Sequence, residues 1–382
     1  MKILLIGEYS RLHNSLKEGL ISLDNDVTLM ADGDVFKNYP RDINIGATIC
    51  QSTIILKALR HFLYHLTFSK WDLYNTERII RFYNKRHIIK DYDIIQVINE
   101  IPFGMNIWFL KRFWQYLFNH NNNVHLLCCS DDYLSTSYQL TSKDNYNILS
   151  AYKNSNKNDH DRNHSFKYVM KPYKKLHDFI YKNIISIIPT DFDYAPAVTH
   201  LPKGKPLIPN PINIDKIDFT ELKTDDKIVI FHGVNKLSKT KKGSQYFLDA
   251  LEIIKEKYDQ KIEVITTNSL PYDVYINKYN KAHILLDQVF SHDQGYNALE
   301  AMAKGKVVFT GVEKIFVEHY KLEKTVAINA VPDVDQLVND LEDLILNPEK
   351  IKEIGKNARE FIKKEHHYIE IAKKYLNSWS NV

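Results

Sequence analysis

Cysteine is scarce: the 382 residues hold three, Cys50, Cys128 and Cys129, with no zinc-type spacing among them. That excludes a disulfide framework and a thiolate metal site, and it predicts free thiols in a reducing compartment. Long apolar runs are missing as well. The N-terminal MKILLIGEYS has an apolar stretch far shorter than a signal core, and no later run approaches a membrane span, which predicts a cytoplasmic chain. Charge of one sign is not in excess. Fifty-one basic against 47 acidic side chains leave a net +4, too little to point to nucleic acid. There is no short-period repeat, and the sixteen histidines form no two-His motif at ligand spacing beside a carboxylate. His366 and His367 are predicted to face solvent in a terminal helix.

What is present is an ordinary globular composition, 44% hydrophobic and 26% charged, on a chain too long for one core. Lys2 to Ile6 reads as a buried strand, Leu12 to Leu23 as a helix and Asp26 to Met30 as a strand, a βαβ opening. Ile94 to Ile98, Val124 to Cys128 and Ile184 to Ile188 continue it, with aromatic segments as candidate crossover helices. The polar stretch from Tyr152 to His164 reads as a loop. Lys203 to Asp226, with three prolines, reads as a connection, after which Ile228 to Phe231, Ile262 to Thr266, Ile284 to Val289 and Val307 to Phe309 alternate with helices. The predicted fold class is α/β, two facing Rossmann-like doubly wound domains with a cleft between them. A first domain spans 1–205, a linker 206–226 and a second domain 227–360, and a last helix in 361–382 crosses back to the first.

Two places in the second domain suit an anion. In LLDQVFSHDQGYNALEAMAKGKVVFTG, Leu285 to Gly311, strand gives way to a polar turn, then Gly295, then a helix that Gly305 closes. The turn reads as a tight chain approach, and amides at Gly295, Tyr296 and Asn297 can meet a phosphate; a plain βαβ corner is the other reading. Upstream, KIVIFHGVNKLSKTKKGSQYFLDAL runs from a strand through Lys236, Lys239, Lys241, Lys242 and Gly243 into a helix. Such a loop can neutralise a diphosphate, or it can be a solvated basic loop.

The order strand, HGVNK, short loop, KG, helix, with QGYNALEAMAKGKVVFTG about fifty residues on, resembles the nucleotide-sugar half of GT-B glycosyltransferases of family 4, the group 1 enzymes. The likeness is specific over residues 228 to 311. It implies that Lys236 and Lys242, with Gly243, hold a donor diphosphate, that Glu300 holds the donor ribose, and that Leu270, in NSLPY, lies where the nucleobase is received. Glu300 alternatively only stabilises its helix from the first turn. The family's first glutamate falls on His292, a hydrogen-bonding residue but no carboxylate. In the first domain the family's His-Asp pair reads SDD, so Asp131 and Asp132 are candidates for orienting the acceptor, or caps of the next helix.

The resemblance implies transfer of a sugar from a nucleoside diphosphate to a saccharide or lipid-linked acceptor, with retention and with neither metal nor cofactor. A sugar-nucleotide epimerase or hydrolase, or a non-catalytic sugar-nucleotide-binding member of an assembly, are the alternatives. Asp191, Phe192 and Asp193 spell a DxD string but read as a turn before Pro196. Residues 54 to 90 and 105 to 120 mix lysine and arginine with many aromatics, a composition suited either to an anionic membrane surface, and hence to a peripheral position on the inner face of the membrane, or to helices packed on the sheet.

Overall fold

In the first half of the chain, runs of apolar residues are buried on both faces, as strands of a parallel sheet must be. They are β1 (Lys2–Ile6), β2 (Asp26–Ala31), β3 (Ile43–Asn44), β4 (Ile94–Val97), β5 (Val124–Cys128) and β6 (Ser186–Pro189). These six form one sheet in the order β3-β2-β1-β4-β5-β6, every neighbour parallel. The second half repeats the plan with β7 (Ile228–Val234), β8 (Ile262–Asn268), β9 (Ile284–Leu286), β10 (Val307–Thr310) and β11 (Ile328–Asn329), ordered β11-β10-β9-β7-β8 and again parallel. Each sheet reverses its strand order once, between β1 and β4 and between β7 and β9, and ligands bind doubly wound sheets at such points. This computed structural model describes residues 1–34, 37–66, 72–152, 160–222, 227–234, 238–268 and 272–380.

The aromatic segments read as crossovers are the helices Leu73–Lys85 and Ile107–His120. The second buries Leu110, Phe113, Trp114 and Leu117 and packs half-buried Tyr116 and Phe118 on the same core, while Trp108 stays exposed. Two expectations change. The strand expected to reach Val289 stops at Leu286; the Asp287 N–H still donates to the Phe309 carbonyl at 3.0 Å, and from there polar residues open a loop at the carboxyl end of the sheet. Of the stretch read as a loop, His160–Phe166 is helical.

The last helix, Tyr368–Ser380, packs on the first, Leu12–Ile21, and seats Trp379 beneath the first sheet, where its Nε1 donates to Gln96 Oε1 at 2.9 Å. His366, expected in solvent, lies at the turn into that helix, buried and hydrogen-bonded to the Asn210 carbonyl at 2.8 Å. Burial pushes its pKa down to about 4. No helix among the described residues is long and apolar enough to cross a membrane.

Candidate active site

The strands of both sheets end at one cleft, a cavity of about 400 Å³. One wall is made by segments following β1, β5 and β6, through Tyr9, Ser10, Ser130, Asp191 and Asp193. Segments following β7 and β9 make the other, through Lys241, Lys242, Gln288, Gln294, Gly295, Tyr296 and Asn297.

The second wall suits an anion. The helix Tyr296–Ala303 begins at Gly295, so its first-turn N–H groups and the positive end of its dipole stand at the cleft. The expected tight approach at Gly295 is corrected. Its φ of −71° suits any residue, and a Cβ there would meet Asp287 Oδ2 at 3.7 Å and Gln288 Nε2 at 3.8 Å, ordinary contacts. The bare Cα leaves space above the helix start instead. Gly243 is the constrained glycine: its φ is +65° and an added Cβ would fall 2.3 Å from Val289 Cγ2.

Lys242 Nζ sits 2.7 Å from Asp287 Oδ1. Asp287 is buried, and its Oδ2 has no hydrogen-bond partner among the described residues. A carboxylate oxygen only accepts, so this one suits an incoming hydroxyl or N–H. Lys241 reaches the other way, across the cleft, to Asp131 Oδ1 at 2.7 Å, while Ser165 Oγ donates to Asp131 Oδ2 at 2.7 Å. Burial alone would raise the Asp131 pKa; Lys241 and Ser165 outweigh it and hold the group below its ordinary value.

Asp132 is a cap and not part of the cleft wall. Its carboxylate accepts Ser135 N at 2.7 Å in a capping box on the helix Tyr133–Thr141, and Cys128 Sγ lies 3.1 Å away. Burial, with Glu100 nearby, lifts it to about 6. The His292 ring is likewise engaged elsewhere. Its Nε2 donates to the Tyr146 carbonyl at 3.0 Å, and its backbone N–H donates to Asp193 Oδ1 at 2.9 Å.

Glu300 is the fifth residue of its helix, beyond the first turn, and it is half-buried. Burial raises its pKa against the pull of Arg11, Lys304 and Lys37, the first and last of which come from the first domain. The Tyr296 hydroxyl also crosses between domains, 2.6 Å from Ser15 Oγ, and donates to Pro211 O at 2.9 Å. Lys236 and Leu270 lie outside the described residues.

The sequence reading missed the acidic floor. Asp191 and Asp193, taken as part of a turn, both line the cleft beside buried Asp293. Burial, then the neighbouring carboxylates Asp193 and Asp293, raises Asp191 well above the ordinary range. No group of three or more His, Cys, Asp or Glu among the described residues is arranged to hold a metal ion. The available signal was position: the DxD string directly follows β6, at the carboxyl end of the sheet.

Over 99% of its length the chain superposes on 98% of sucrose-phosphate synthase from Thermosynechococcus elongatus, with a TM-score of 0.58 at 16% identity. HepE of Anabaena, solved with UDP-glucose, matches over 100% of both chains with a TM-score of 0.55 at 12% identity. Residues 235–377 match the family model described as glycosyl transferase-like. No curated protein matches the sequence. The fold is GT-B, and the match over residues 235–377 agrees with the expected resemblance to group 1 glycosyltransferases.

Proposed function

We propose that the chain transfers a sugar from a nucleoside-diphosphate donor to a saccharide or lipid-linked acceptor, in polysaccharide or glycolipid assembly, with retention and without a metal or other cofactor. The observation that carries this reading is the pairing of Lys242 with the helix start at Gly295 on one wall of the interdomain cleft. A diphosphate meets a cation and oriented amides there, where both act on charge that grows as the leaving group departs. In the proposed step the bond from the anomeric carbon to the diphosphate oxygen breaks, and the acceptor oxygen bonds to that carbon from the same face. The acceptor proton passes to the leaving diphosphate. Lys242 and Gly243 hold the diphosphate with Lys236, Glu300 the ribose, and Leu270 borders the base. Asp191 and Asp193 line the cleft, so acceptor orientation is assigned to them in preference to Asp131 and Asp132.

One observation favours a second reading, binding without turnover: His292 stands where the family has a glutamate, and its ring is turned to Tyr146. Thermal shifts with UDP-, GDP-, ADP- and CMP-sugars test donor binding, since a ligand of the folded state stabilises by mass action. Assays of sugar transfer then separate the two readings. No shift with any donor, or the same shift in Lys242→Ala and Glu300→Ala as in the wild type, would sink the site.

A further inference from the structure

The helix Ile54–Leu66 has thirteen residues and buries none of them. A helix on a globular core normally turns its apolar stripe inward. Here Ile55, Leu59, Phe62 and Leu66, spaced i, i+4, i+7 and i+11, form one stripe exposed by 78%, 44%, 61% and 61%, and Ile54 at the helix start is exposed by 84%. The charges on this helix all have one sign available: it carries Lys57, Arg60, His61 and His65 and no aspartate or glutamate. Arg60 is tied down by Asp72 at 2.8 Å, whereas Lys57 is exposed. Against the helix Leu73–Lys85 a groove of about 500 Å³ runs between Ile49, Leu73 and Ile80, lined also by Lys85 and by Arg81 paired with Glu77 at 2.9 Å.

We propose that this helix lies in the surface of a bilayer rich in anionic lipid, with its stripe among the upper acyl chains and its basic side chains at the headgroup phosphates. Several observations argue for this occupant. The apolar stripe carries cations and no carboxylate, which matches an anionic surface. The helix is far too short to span a bilayer, so it lies on one. The segment 105 to 120, similar in composition, buries Leu110, Phe113, Trp114 and Leu117 and leaves Trp108 as its one exposed large apolar side chain, so it contributes no comparable stripe. The inference concerns where the protein sits and does not depend on the proposed reaction.

The test is co-sedimentation of the full chain with vesicles of phosphatidylcholine alone or mixed with phosphatidylglycerol, at low and high salt. The expected result is binding to the mixed vesicles that weakens with salt and falls at least about tenfold for the double variant Leu59→Glu, Phe62→Glu. Both substitutions are on exposed positions, so the melting temperature and any donor-induced thermal shift should match the wild type. Failure to bind mixed vesicles, equal binding by the variant, or a dimer in light scattering that the variant abolishes would each overturn the proposal. The last outcome would assign the face to a second copy of the chain.

Discussion

Asp193, on the loop after β6, accepts the backbone N–H of His292, on the loop after β9, at 2.9 Å, and the two residues belong to different domains. Ser291 Oγ also bonds Asp193, and the His292 ring closes the contact on Tyr146 O, so this corner fastens the two units beside the cleft. His292→Ala removes the ring contact and keeps the backbone one. The expected cost is about 1 kcal/mol of stability, the ordinary worth of one hydrogen bond, with the donor-induced thermal shift unchanged. A loss of turnover of a hundredfold or so at unchanged melting temperature would instead put the ring at the reacting centre.

Lys242 and Asp287 make the pair that a diphosphate would have to share. Lys242→Ala leaves the Asp287 carboxylate buried without its cation, while Asp287→Asn keeps the volume and removes the charge. Because the Lys242 side chain is 31% exposed, solvent screening holds the stability loss in Lys242→Ala to about 1–2 kcal/mol, below the cost of breaking a fully buried pair. Donor affinity should fall at least about tenfold, or 1.4 kcal/mol. Isothermal titration on folded variants measures it, and the double variant should recover the stability but not the affinity. Recovery of affinity as well would mean that the lysine only neutralises Asp287.

Stability should decline as pH rises through neutrality. Burial outweighs the Asn14 hydrogen bond and lifts Glu8 to about 8; it likewise outweighs the Gln294 N–H and, helped by Asp193, lifts Asp293 to about 7. Folded-state values above the unfolded ones mean that the folded chain holds these protons more tightly. Their stabilising contribution is full below the ordinary carboxylate range and is lost progressively as pH rises from that range to about 7 for Asp293 and about 8 for Glu8. Buried His13, His125 and His366, each pushed down to about 4, act in the other direction as pH falls below the ordinary histidine value. Melting temperature should therefore peak near pH 6 and fall toward pH 8, and Asp293→Asn should flatten the alkaline limb. A melting temperature that climbs steadily from pH 6.5 to 8.5 would contradict this.

The sheets were legible because parallel strands buried on both faces leave apolar runs that few other elements imitate, and β1, β5 and β7 stand close to where those runs lie. The corner from Leu285 to Gly311 was legible for the same reason, with Gly305 closing the helix at φ +82°. Its contacts were not. The partners of His292, Lys241 and Tyr296 come from the other domain, about a hundred to nearly three hundred residues away in the chain, and no local pattern encodes such pairs. Composition also could not separate two basic aromatic helices, one of which packs four of its rings into the core while the other exposes its apolar stripe.

The two glycines of the proposed phosphate site should behave in opposite ways. Gly243 precedes the helix Ser244–Tyr258 with φ +65°, and an added Cβ would collide with Val289 and Phe290. Gly243→Ala should cost about 1–3 kcal/mol of stability, since left-handed strain and an overfilled contact add. Gly295 has an extended backbone and room for a methyl, so Gly295→Ala should leave the melting temperature within about 1 °C, equivalent to under about 1 kcal/mol. That methyl would nevertheless intrude beside the helix start, where a diphosphate needs close approach to the amides, and donor affinity should drop about tenfold or more. Denaturant melts and titration with the preferred donor would measure both variants. A Gly295→Ala protein that binds donor as tightly as the wild type would place the diphosphate away from this helix, leaving the lysine loop as its only seat.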